Sequence, residues 1–445
     1  MDNRGRDEWG ESLPRRLGMW SAVAVLIGTT IGAGIFRVPA IVAEQLSNPG
    51  AVIAAWLLGG LITLLGALTI AELASALPRS GGIFAYIFEA YGPLPAFLLG
   101  WSELVIIRPA ALGGIATIFA EYLSYFIPLT AIEVRIVAAA VIVLVGAINM
   151  LGVRRAAMLM NYMTFAKFAA LAALGVLAFT SGEGSASHFT MTGVQAVDLS
   201  LFASVALPIL WTYDGPSNLS FVSGEIRNPQ RTLPVALILG TLAIVTVYLL
   251  TNLALIYLVP LPEMGQSNLI AATAAERIPL FAGYGAAIIA AIVIVSTFSG
   301  VHGSMMTGPR VVFAMADRGL FFRGIARISP RFHTPSVAIS LAMILGVLYV
   351  SQNSFAQLAD KFILGIWPFY ILAVAAVFIL RRKRSDLPRP YRTWGYPVVP
   401  ALFLIASLGV LVNALWTAPL NTGITFAIVL SGIPVYVLWR RFTVS

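Results

Sequence analysis

Two short stretches of this sequence combine residues that break a helix with residues that bind charged groups. The first, GTTIGAGIF (Gly28–Phe36), places three glycines and two threonines inside an apolar run. The second, WTYDGPSNLS (Trp211–Ser220), places an aspartate, a glycine and a proline inside another apolar run. Glycine and proline weaken helices, and within a membrane such breaks are tolerated where the freed backbone lines a cavity instead of lipid. Both stretches are therefore candidate binding sites.

The backbone groups freed at these breaks suit the two charges of an α-amino acid. Unwinding over Gly32–Gly34 frees N–H groups at the positive start of a downstream half-helix, which suits a carboxylate. Carbonyls at the end of the upstream half, from Thr30 and Ile31, suit an ammonium group, and a carbonyl near Trp211 would complete that site. The Gly28–Gly32 spacing alone also fits close helix packing. The matching break in the second stretch favours the binding interpretation.

Two side chains at the second break have more than one possible role. Asp214 could receive the side chain of a cationic ligand, or it could cap and hydrogen-bond the unwound backbone. Trp211 directly precedes the break, so its ring could lie over a ligand and close the site from outside. Tryptophan in an apolar helix usually serves packing, and the gate role therefore rests on position.

One lysine lies where a charge is costly. Lys167 is near the middle of an apolar run, about 18 Å from either end at 1.5 Å per residue, too far for its ammonium to reach the membrane surface. It could be a fixed positive charge that braces the broken first stretch, a proton carrier, or a purely structural residue. Ser296, Ser299 and Ser304 are candidate hydrogen-bond partners.

Two further polar residues lie in apolar runs. Arg108 precedes Pro109, and Glu103 is the nearest acid, but five residues on a regular α-helix separate two side chains by about 140°. Their pairing is left open. His302 lies among small residues, which favours a polar packing role over a proton relay.

The composition requires a membrane protein. The chain has 445 residues, of which 59% are hydrophobic and 11% charged, whereas a soluble domain carries about 25% charged residues. The first apolar run is too long for a signal peptide and predicts a retained helix. Hydropathy predicts an all-α polytopic protein with twelve spans, at about 18–42, 50–76, 94–126, 131–151, 156–180, 199–223, 232–259, 284–314, 335–350, 356–380, 399–417 and 421–439.

The distribution of basic residues predicts the orientation. The net charge of +9 arises mostly in alternate connections, so the positive-inside rule places both termini in the cytoplasm. This pattern explains the charge better than nucleic-acid binding does. The segment Leu380–Pro397 could act as a cytoplasmic anchor or bind anionic lipid. The basic connections include Arg15, Arg16, Arg79, Arg154, Arg155, Arg227, Arg231 and Arg381–Arg384.

The two breaks also predict the internal organisation, because they fall in the first and sixth spans, five helices apart. Transporters built from inverted repeats carry discontinuous helices at corresponding positions of each half, with the substrate between them. The predicted division is a cytoplasmic tail at 1–17, a first five-helix repeat at 18–180, a second inverted repeat at 199–380, helices 11 and 12 at 399–439, and a tail at 440–445.

Other classes of protein lack support in the sequence. There is no cysteine, which excludes disulfide-linked partners and thiolate metal sites. The three histidines, His188, His302 and His333, are scattered, so no enzymatic constellation is recognisable and no cofactor or metal is expected. A receptor would need a sensing domain, and the connections between spans are short.

Several segments follow one another in an order that resembles a known family. They are GTTIGAGIF, AELASALPRSGGIFAYI, IIRPAA, YDGPSNLSFVSGEIRNPQRTLP, GPRVVFAMADRGL and RRKRSDLPRPYRTWGYPVVP. Over nearly the whole chain the sequence resembles the amino acid–polyamine–organocation superfamily, specifically bacterial relatives of the L-type amino acid transporter branch. The resemblance implies a 5+5 inverted repeat with discontinuous helices 1 and 6, two additional C-terminal helices and alternating access.

The resemblance also implies roles for individual residues. Lys167 aligns with a lysine that replaces sodium, and Trp211 aligns with an aromatic gate. The expected function is sodium-independent exchange of neutral L-amino acids across a bacterial inner membrane; the alternatives are a proton-coupled importer and a transporter of cationic amino acids or polyamines. The residues expected to contact substrate are Thr30, Ile31, Gly32, Ala33, Gly34, Trp211, Asp214 and Gly215.

Two departures from the family pattern affect these expectations. Pro216 stands where the branch commonly has tryptophan, which could reshape the pocket. Animal members pair with a glycoprotein through a cysteine that this chain lacks. We therefore expect a self-sufficient monomer or homodimer, with membrane lipid and the amino acid as its partners.

Overall fold

The chain folds into packed helices in a computed structural model that describes residues 17–79, 81–151, 156–180, 183–190, 199–221, 223–281, 283–317, 319–322, 325, 329 and 334–443. Most of the predicted N-terminal tail, and with it Arg15 and Arg16, lies outside these residues, as do Arg154, Arg155 and His333. The α-helices are α1 (Met19–Thr30), α2 (Gly34–Gln45), α3 (Pro49–Ala76), α4 (Ile83–Tyr91), α5 (Pro93–Ser102), α6 (Arg108–Leu123), α7 (Ala131–Met150), α8 (Ala156–Thr180), α9 (Leu199–Tyr213), α10 (Pro216–Phe221), α11 (Pro229–Leu258), α12 (Leu261–Gln266), α13 (Ile270–Glu276), α14 (Gly285–Asp317), α15 (Ser336–Gln352), α16 (Phe355–Lys383), α17 (Val398–Thr417), α18 (Pro419–Leu430) and α19 (Gly432–Thr443).

The helices confirm a polytopic membrane protein. Within the described residues, eight helical segments are long and apolar enough to cross a membrane, and α1 with α2 forms a ninth span bent by 43°. The predicted fifth, sixth and ninth spans coincide with α8, with α9 and α10, and with α15, whose described apolar lengths are shorter. The count of twelve and the repeat layout therefore stay predictions.

Three short helices in the connections were not predicted from hydropathy. They are α4, between the second and third spans, and α12 with α13, between the seventh and eighth. Gly82, the residue before α4, has a positive φ of 48°, and a Cβ there would lie 2.1 Å from Ser220 Oγ. The glycine thus brings α4 directly against α10, beside the second break.

The third predicted span is continuous but contains a π-helical turn, Glu103–Ile107, between α5 and α6. In this turn the N–H of Arg108 donates to the carbonyl of Glu103, an i→i+5 hydrogen bond. Pro109 has no N–H for the carbonyl of Val105, and Tyr349 of α15 donates its hydroxyl to that carbonyl at 2.8 Å. The widened turn brings residues five apart onto one face.

The helices pack around two apolar clusters. The larger one runs through most of the bundle, and a smaller one, which includes Leu112, Ile142, Met305 and Ile339, lies between α6, α7, α14 and α15. Outer helices such as α7 and α17 expose large apolar side chains, as expected of a surface that faces lipid.

A buried carboxylate at the end of α3 fixes the connection between α16 and α17. Glu72 accepts hydrogen bonds from Arg381 Nε at 2.9 Å and Nη2 at 2.7 Å, and from the N–H and hydroxyl of Thr393 at 2.7 and 2.8 Å. Arg389 Nε lies 3.5 Å from the same carboxylate. We call this group the Glu72 hub.

The hub should contribute strongly to stability, because removing one partner of a buried ion pair costs about 3–5 kcal/mol. We expect Glu72→Gln to lower the melting temperature of the detergent-solubilised protein, measured by intrinsic fluorescence. Asp386→Asn is the control, since Asp386 is an exposed acid in the same connection, and it should leave the melting temperature unchanged. Equal melting temperatures for Glu72→Gln and the unmodified protein would show that the hub is dispensable.

Candidate functional site

The two broken helices enclose one cavity. It lies where α1 gives way to α2 and α9 gives way to α10, with walls from α6, α8, α14 and α16. The volume of the cavity is about 100 Å³, counted as the space open to the centre of a water-sized sphere. One water needs about 10–15 Å³ by that measure. The cavity thus accommodates a small organic molecule. The predicted site residues that line it are Thr30, Gly32, Ala33, Gly34, Lys167, Trp211, Asp214, Ser299 and Ser304.

Three predicted site residues have other surroundings. Ile31 is fully buried in the apolar core, and Ser296 is a buried hydroxyl with no described hydrogen-bond partner. Gly215 packs against α1, where a Cβ on it would lie 1.5 Å from Thr30 Oγ1. Gly215 therefore shapes the site by letting the two breaks touch.

The backbone N–H groups at the first break have few partners among the residues that the structure describes. The break's hydrogen bonds run from the Ile31 N–H to Ile27 at 2.8 Å and from the Phe36 N–H to Ala33 at 3.2 Å. In the described part of the chain, no acceptor receives the N–H groups of Gly32–Gly34. These groups begin α2, where the helix dipole adds positive potential. The arrangement suits an anionic ligand such as a carboxylate.

The carbonyls at both breaks already hold one partner each. Tyr248 of α11 places its hydroxyl 2.9 Å from the carbonyl of Thr30 and 3.2 Å from that of Thr212. The carbonyl of Trp211 accepts the N–H of Asp214 at 3.3 Å. A carbonyl oxygen has two lone pairs, so each retains a position for an ammonium group. Tyr248, which joins the two breaks, was not identified from the sequence.

Lys167 braces the first break through the backbone. The side chain is 2% exposed, and Nζ donates to the carbonyl of Gly28 at 2.7 Å. Gly28 lies in the last turn of α1, where carbonyls lack helical partners. The acceptor is thus a helix end and not one of the predicted serines; Ser299 lines the cavity, and Ser304 accepts a different donor, Arg108.

Asp214 is held by neighbouring hydroxyl groups. Tyr370 of α16 donates to its Oδ1, and the hydroxyls of Tyr370 and Ser217 are 2.6 Å apart. The carboxylate therefore links the second break to α16 while it lines the cavity. Tyr370 is a second residue that the sequence did not reveal, because nothing distinguishes it from tyrosines used for packing.

The pairing left open between Glu103 and Arg108 does form. The π-helical turn brings the two side chains together as a buried ion pair, and Arg108 Nη1 donates to Ser304 Oγ of α14 at 2.8 Å. The regular-helix angle gave no basis for predicting this contact. With Lys167 and Asp214, the described residues of the cavity wall and their immediate partners include two cationic and two acidic groups.

Two layers of side chains lie between this cavity and a second one. The ring of Trp211 meets Phe355 edge-on at 5.2 Å between centroids, and the guanidinium of Arg37 lies 6.0 Å from the centre of the Phe355 ring. Arg37 also binds Glu121 at 3.2 Å and Asn268 at 2.7 Å. Beyond these contacts is a second cavity of about 710 Å³, lined in part by Glu121 and Phe355.

His302 does not line the cavity. His302 faces the smaller core cluster, where its Nδ1 is 2.9 Å from Asn149 Nδ2, consistent with the packing role. Among the described residues, no group of three His, Cys, Asp or Glu side chains is placed to hold a metal ion.

Comparison with known proteins gives full-length matches. A family model described as amino acid permease matches residues 17–439. The chain is 31% identical over 429 residues to the serine/threonine exchanger SteT of Bacillus subtilis (strain 168), covering 95% of this chain and 96% of that protein. It is also 31% identical over 439 residues to the human cystine/glutamate transporter, covering 96% and 85%. The human b(0,+)-type amino acid transporter 1 is 31% identical over 409 residues, covering 89% and 82%.

The contact between the breaks can be tested at Gly215. A methyl group there collides with Thr30, so Gly215→Ala should lower the melting temperature, because the close packing must shift to accept it. Gly409→Ala is the control, since a Cβ at Gly409 of α17 meets nothing within 4 Å. If both variants melt like the unmodified protein, the breaks do not pack as closely as described.

Proposed function

Because the chain belongs to the amino acid permease family, and is a multi-pass membrane protein for amino acid transport, we propose that it is a sodium-independent exchanger of neutral L-amino acids. The observation that carries the proposal is the cavity at the two breaks. There, the N–H groups of Gly32–Gly34, which have no acceptor among the described residues, lie near carbonyls that can accept an ammonium group. Exchange is supported by the relatives, of which one is named an exchanger.

In this proposal the backbone binds the carboxylate and ammonium groups that all amino acids share. The substrate carboxylate accepts hydrogen bonds from Gly32, Ala33 and Gly34, and the substrate ammonium donates to carbonyls of Thr30, Ile31 or Trp211. The side chain then points toward α6, α14 and α16. Ligand groups on a rigid backbone need no reorganisation when the substrate arrives.

The charges around the cavity support a neutral substrate. Lys167 and Arg108 are balanced by Asp214 and Glu103, so a zwitterion adds no net charge to the ionised site. A cationic or acidic amino acid would bring an uncompensated charge into a region of low dielectric, which is costly. Asp214, already bonded to Tyr370, serves here as a positioning group for the second break.

The polarity of the cavity favours a side chain that carries a hydroxyl group. Ser299, Ser304 and Thr307 line the wall and can hydrogen-bond a hydroxyl group. Serine and threonine, which appear in the name of the Bacillus relative, are therefore our preferred substrates.

Lys167 supports sodium independence. Its ammonium occupies the carbonyl end of α1, a position where a helix end would otherwise bind a cation. A covalently attached charge cannot leave with the substrate, so no ion gradient is needed to complete the site.

Alternating access requires that the cavity open to one side at a time. We assign the Trp211–Phe355 contact and the Arg37–Glu121 pair to the outer gate. This assignment follows the predicted orientation, with both termini in the cytoplasm of a bacterium, twelve spans, and repeats at 18–180 and 199–380. The first and sixth spans would then rock against the surrounding helices.

The transport mode can be tested with purified protein in liposomes. We expect labelled serine to enter only vesicles preloaded with an unlabelled amino acid, equally in sodium and potassium buffers, because loaded carriers return faster than empty ones in an exchanger. Excess threonine should compete, whereas arginine and glutamate should not. Protein-free vesicles are the control.

Two results would contradict this mode. Robust uptake into empty vesicles under an imposed pH gradient would make the protein a proton-coupled importer. Strong competition by arginine would instead assign it to cationic amino acids.

The role of Lys167 has its own test. Lys167→Ala leaves the Gly28 carbonyl unpartnered and the cavity with an excess acidic charge. Because hydrogen bonds to charged groups are worth about 1.5–3 kcal/mol, we expect the exchange rate to fall by roughly 10- to 100-fold. Lys361→Ala is the matched control, since Lys361 binds Asn353 and does not line the cavity. A folded Lys167→Ala protein with near-normal exchange would refute the bracing role.

A further inference from the structure

We propose that the connection between α16 and α17 forms a binding site for an anionic phospholipid headgroup, with Arg382, Arg392 and Trp394 facing the lipid. We call residues 381–397, the end of α16 and the connection to α17, the strap. It joins the ends of two membrane spans, Phe355–Lys383 and Val398–Thr417, so it must lie at the membrane surface. The proposal is independent of the transported substrate.

Three basic residues of this region are directed into the protein. Arg381 binds Glu72 in the hub, and its guanidinium lies 3.6 Å from the centre of the Tyr396 ring. Arg389 donates to the carbonyls of Leu380 at 2.9 Å and Arg384 at 2.8 Å. Arg384 binds Glu89 at 3.2 Å. These contacts fold the strap against α3 and α4 and determine which side of it faces outward.

Asp386 forms an ion pair with Arg384 within the strap. Arg384 Nε lies 3.2 Å from its carboxylate, and this hydrogen bond lowers the pKa of Asp386 below its usual range. The acid is thus charged and paired with an arginine that faces the protein, which leaves the outward cations uncompensated.

The outward cations are Arg382 and Arg392. Both are exposed, and neither has a hydrogen bond or ion pair with any residue that the structure describes. Each directly neighbours a residue bound to Glu72: Arg382 follows Arg381, and Arg392 precedes Thr393. The hub therefore holds both backbones in place and leaves two guanidinium groups available for a phosphate, which arginine binds in a bidentate manner.

Trp394 supplies the apolar part of the site. Its side chain is 79% exposed and lies just before α17, whose exposed apolar residues include Val398 at 59%, Leu402 at 49% and Ile405 at 68%. Spacings of three and four residues place these three residues of α17 on one helix face, which is the face toward lipid. Tryptophan next to the end of a membrane span is typical of the headgroup region, and Arg392 precedes Trp394 by two residues.

Charge and position together select the ligand. Within the described residues, the site has two unpaired guanidinium groups, an indole and no free acid. It therefore favours a negatively charged headgroup over a zwitterionic one, as basic clusters at membrane ends do. Phosphatidylglycerol, which carries one net negative charge, is the probe with the appropriate chemistry, and phosphatidylcholine is its neutral counterpart.

The test measures lipid at Trp394 directly. The full-length protein is reconstituted with brominated phosphatidylglycerol or brominated phosphatidylcholine at equal mole fraction, and tryptophan fluorescence quenching is recorded. The difference between the unmodified protein and Trp394→Phe gives the quenching of Trp394. We expect the brominated phosphatidylglycerol to quench this residue at least about twofold more strongly.

Substitutions test whether the strap causes the preference for brominated phosphatidylglycerol. The double variant Arg382→Gln with Arg392→Gln should quench equally with both lipids. Arg440→Gln, which removes an exposed arginine at the end of α19, should keep the preference. Equal quenching in the unmodified protein would overturn the proposal, and so would a preference that survives the double substitution or disappears in Arg440→Gln.

Discussion

A helix that breaks inside a membrane must find partners for the backbone groups it frees, and this constraint organises the whole structure. Lys167 binds the carbonyl of Gly28, and Tyr248 reaches carbonyls at both breaks. The described chain supplies carbonyl partners more fully than amide partners, because the N–H groups of Gly32–Gly34 stay free. These N–H groups, which have no acceptor among the described residues, are therefore available to a ligand.

The same constraint explains how charged side chains are accommodated. A buried charge is tolerable when it is paired and hydrogen-bonded, and Glu103 with Arg108 meets this condition only because a π-helical turn aligns them. Glu72 meets it by collecting donors from the strap. The Glu103–Arg108 pair lies beside the cavity, whereas the Glu72 hub lies at the end of the bundle. Each therefore stabilises a different part of the bundle.

The sequence predicted those features that follow from residue type. The breaks could be located from glycine and proline. The burial of Lys167 within the membrane could be predicted from its position near the middle of an apolar run. The sequence did not reveal the acceptor of Lys167, the partners Tyr248 and Tyr370, or the Glu103–Arg108 pair, because these depend on which helices become neighbours and on a local change of helical period. Pro109 was the available signal for that change, since it removes a helical donor.

The central claim is that backbone groups at the two breaks bind both charges of an amino acid. It is tested most directly by comparing serine with two analogues, ethanolamine, which lacks the carboxylate, and glycerate, which lacks the ammonium. Each should compete for labelled serine at least about tenfold more weakly than serine itself, since each loses hydrogen bonds to a charged group. Competition by either analogue as strong as that by serine would contradict the claim.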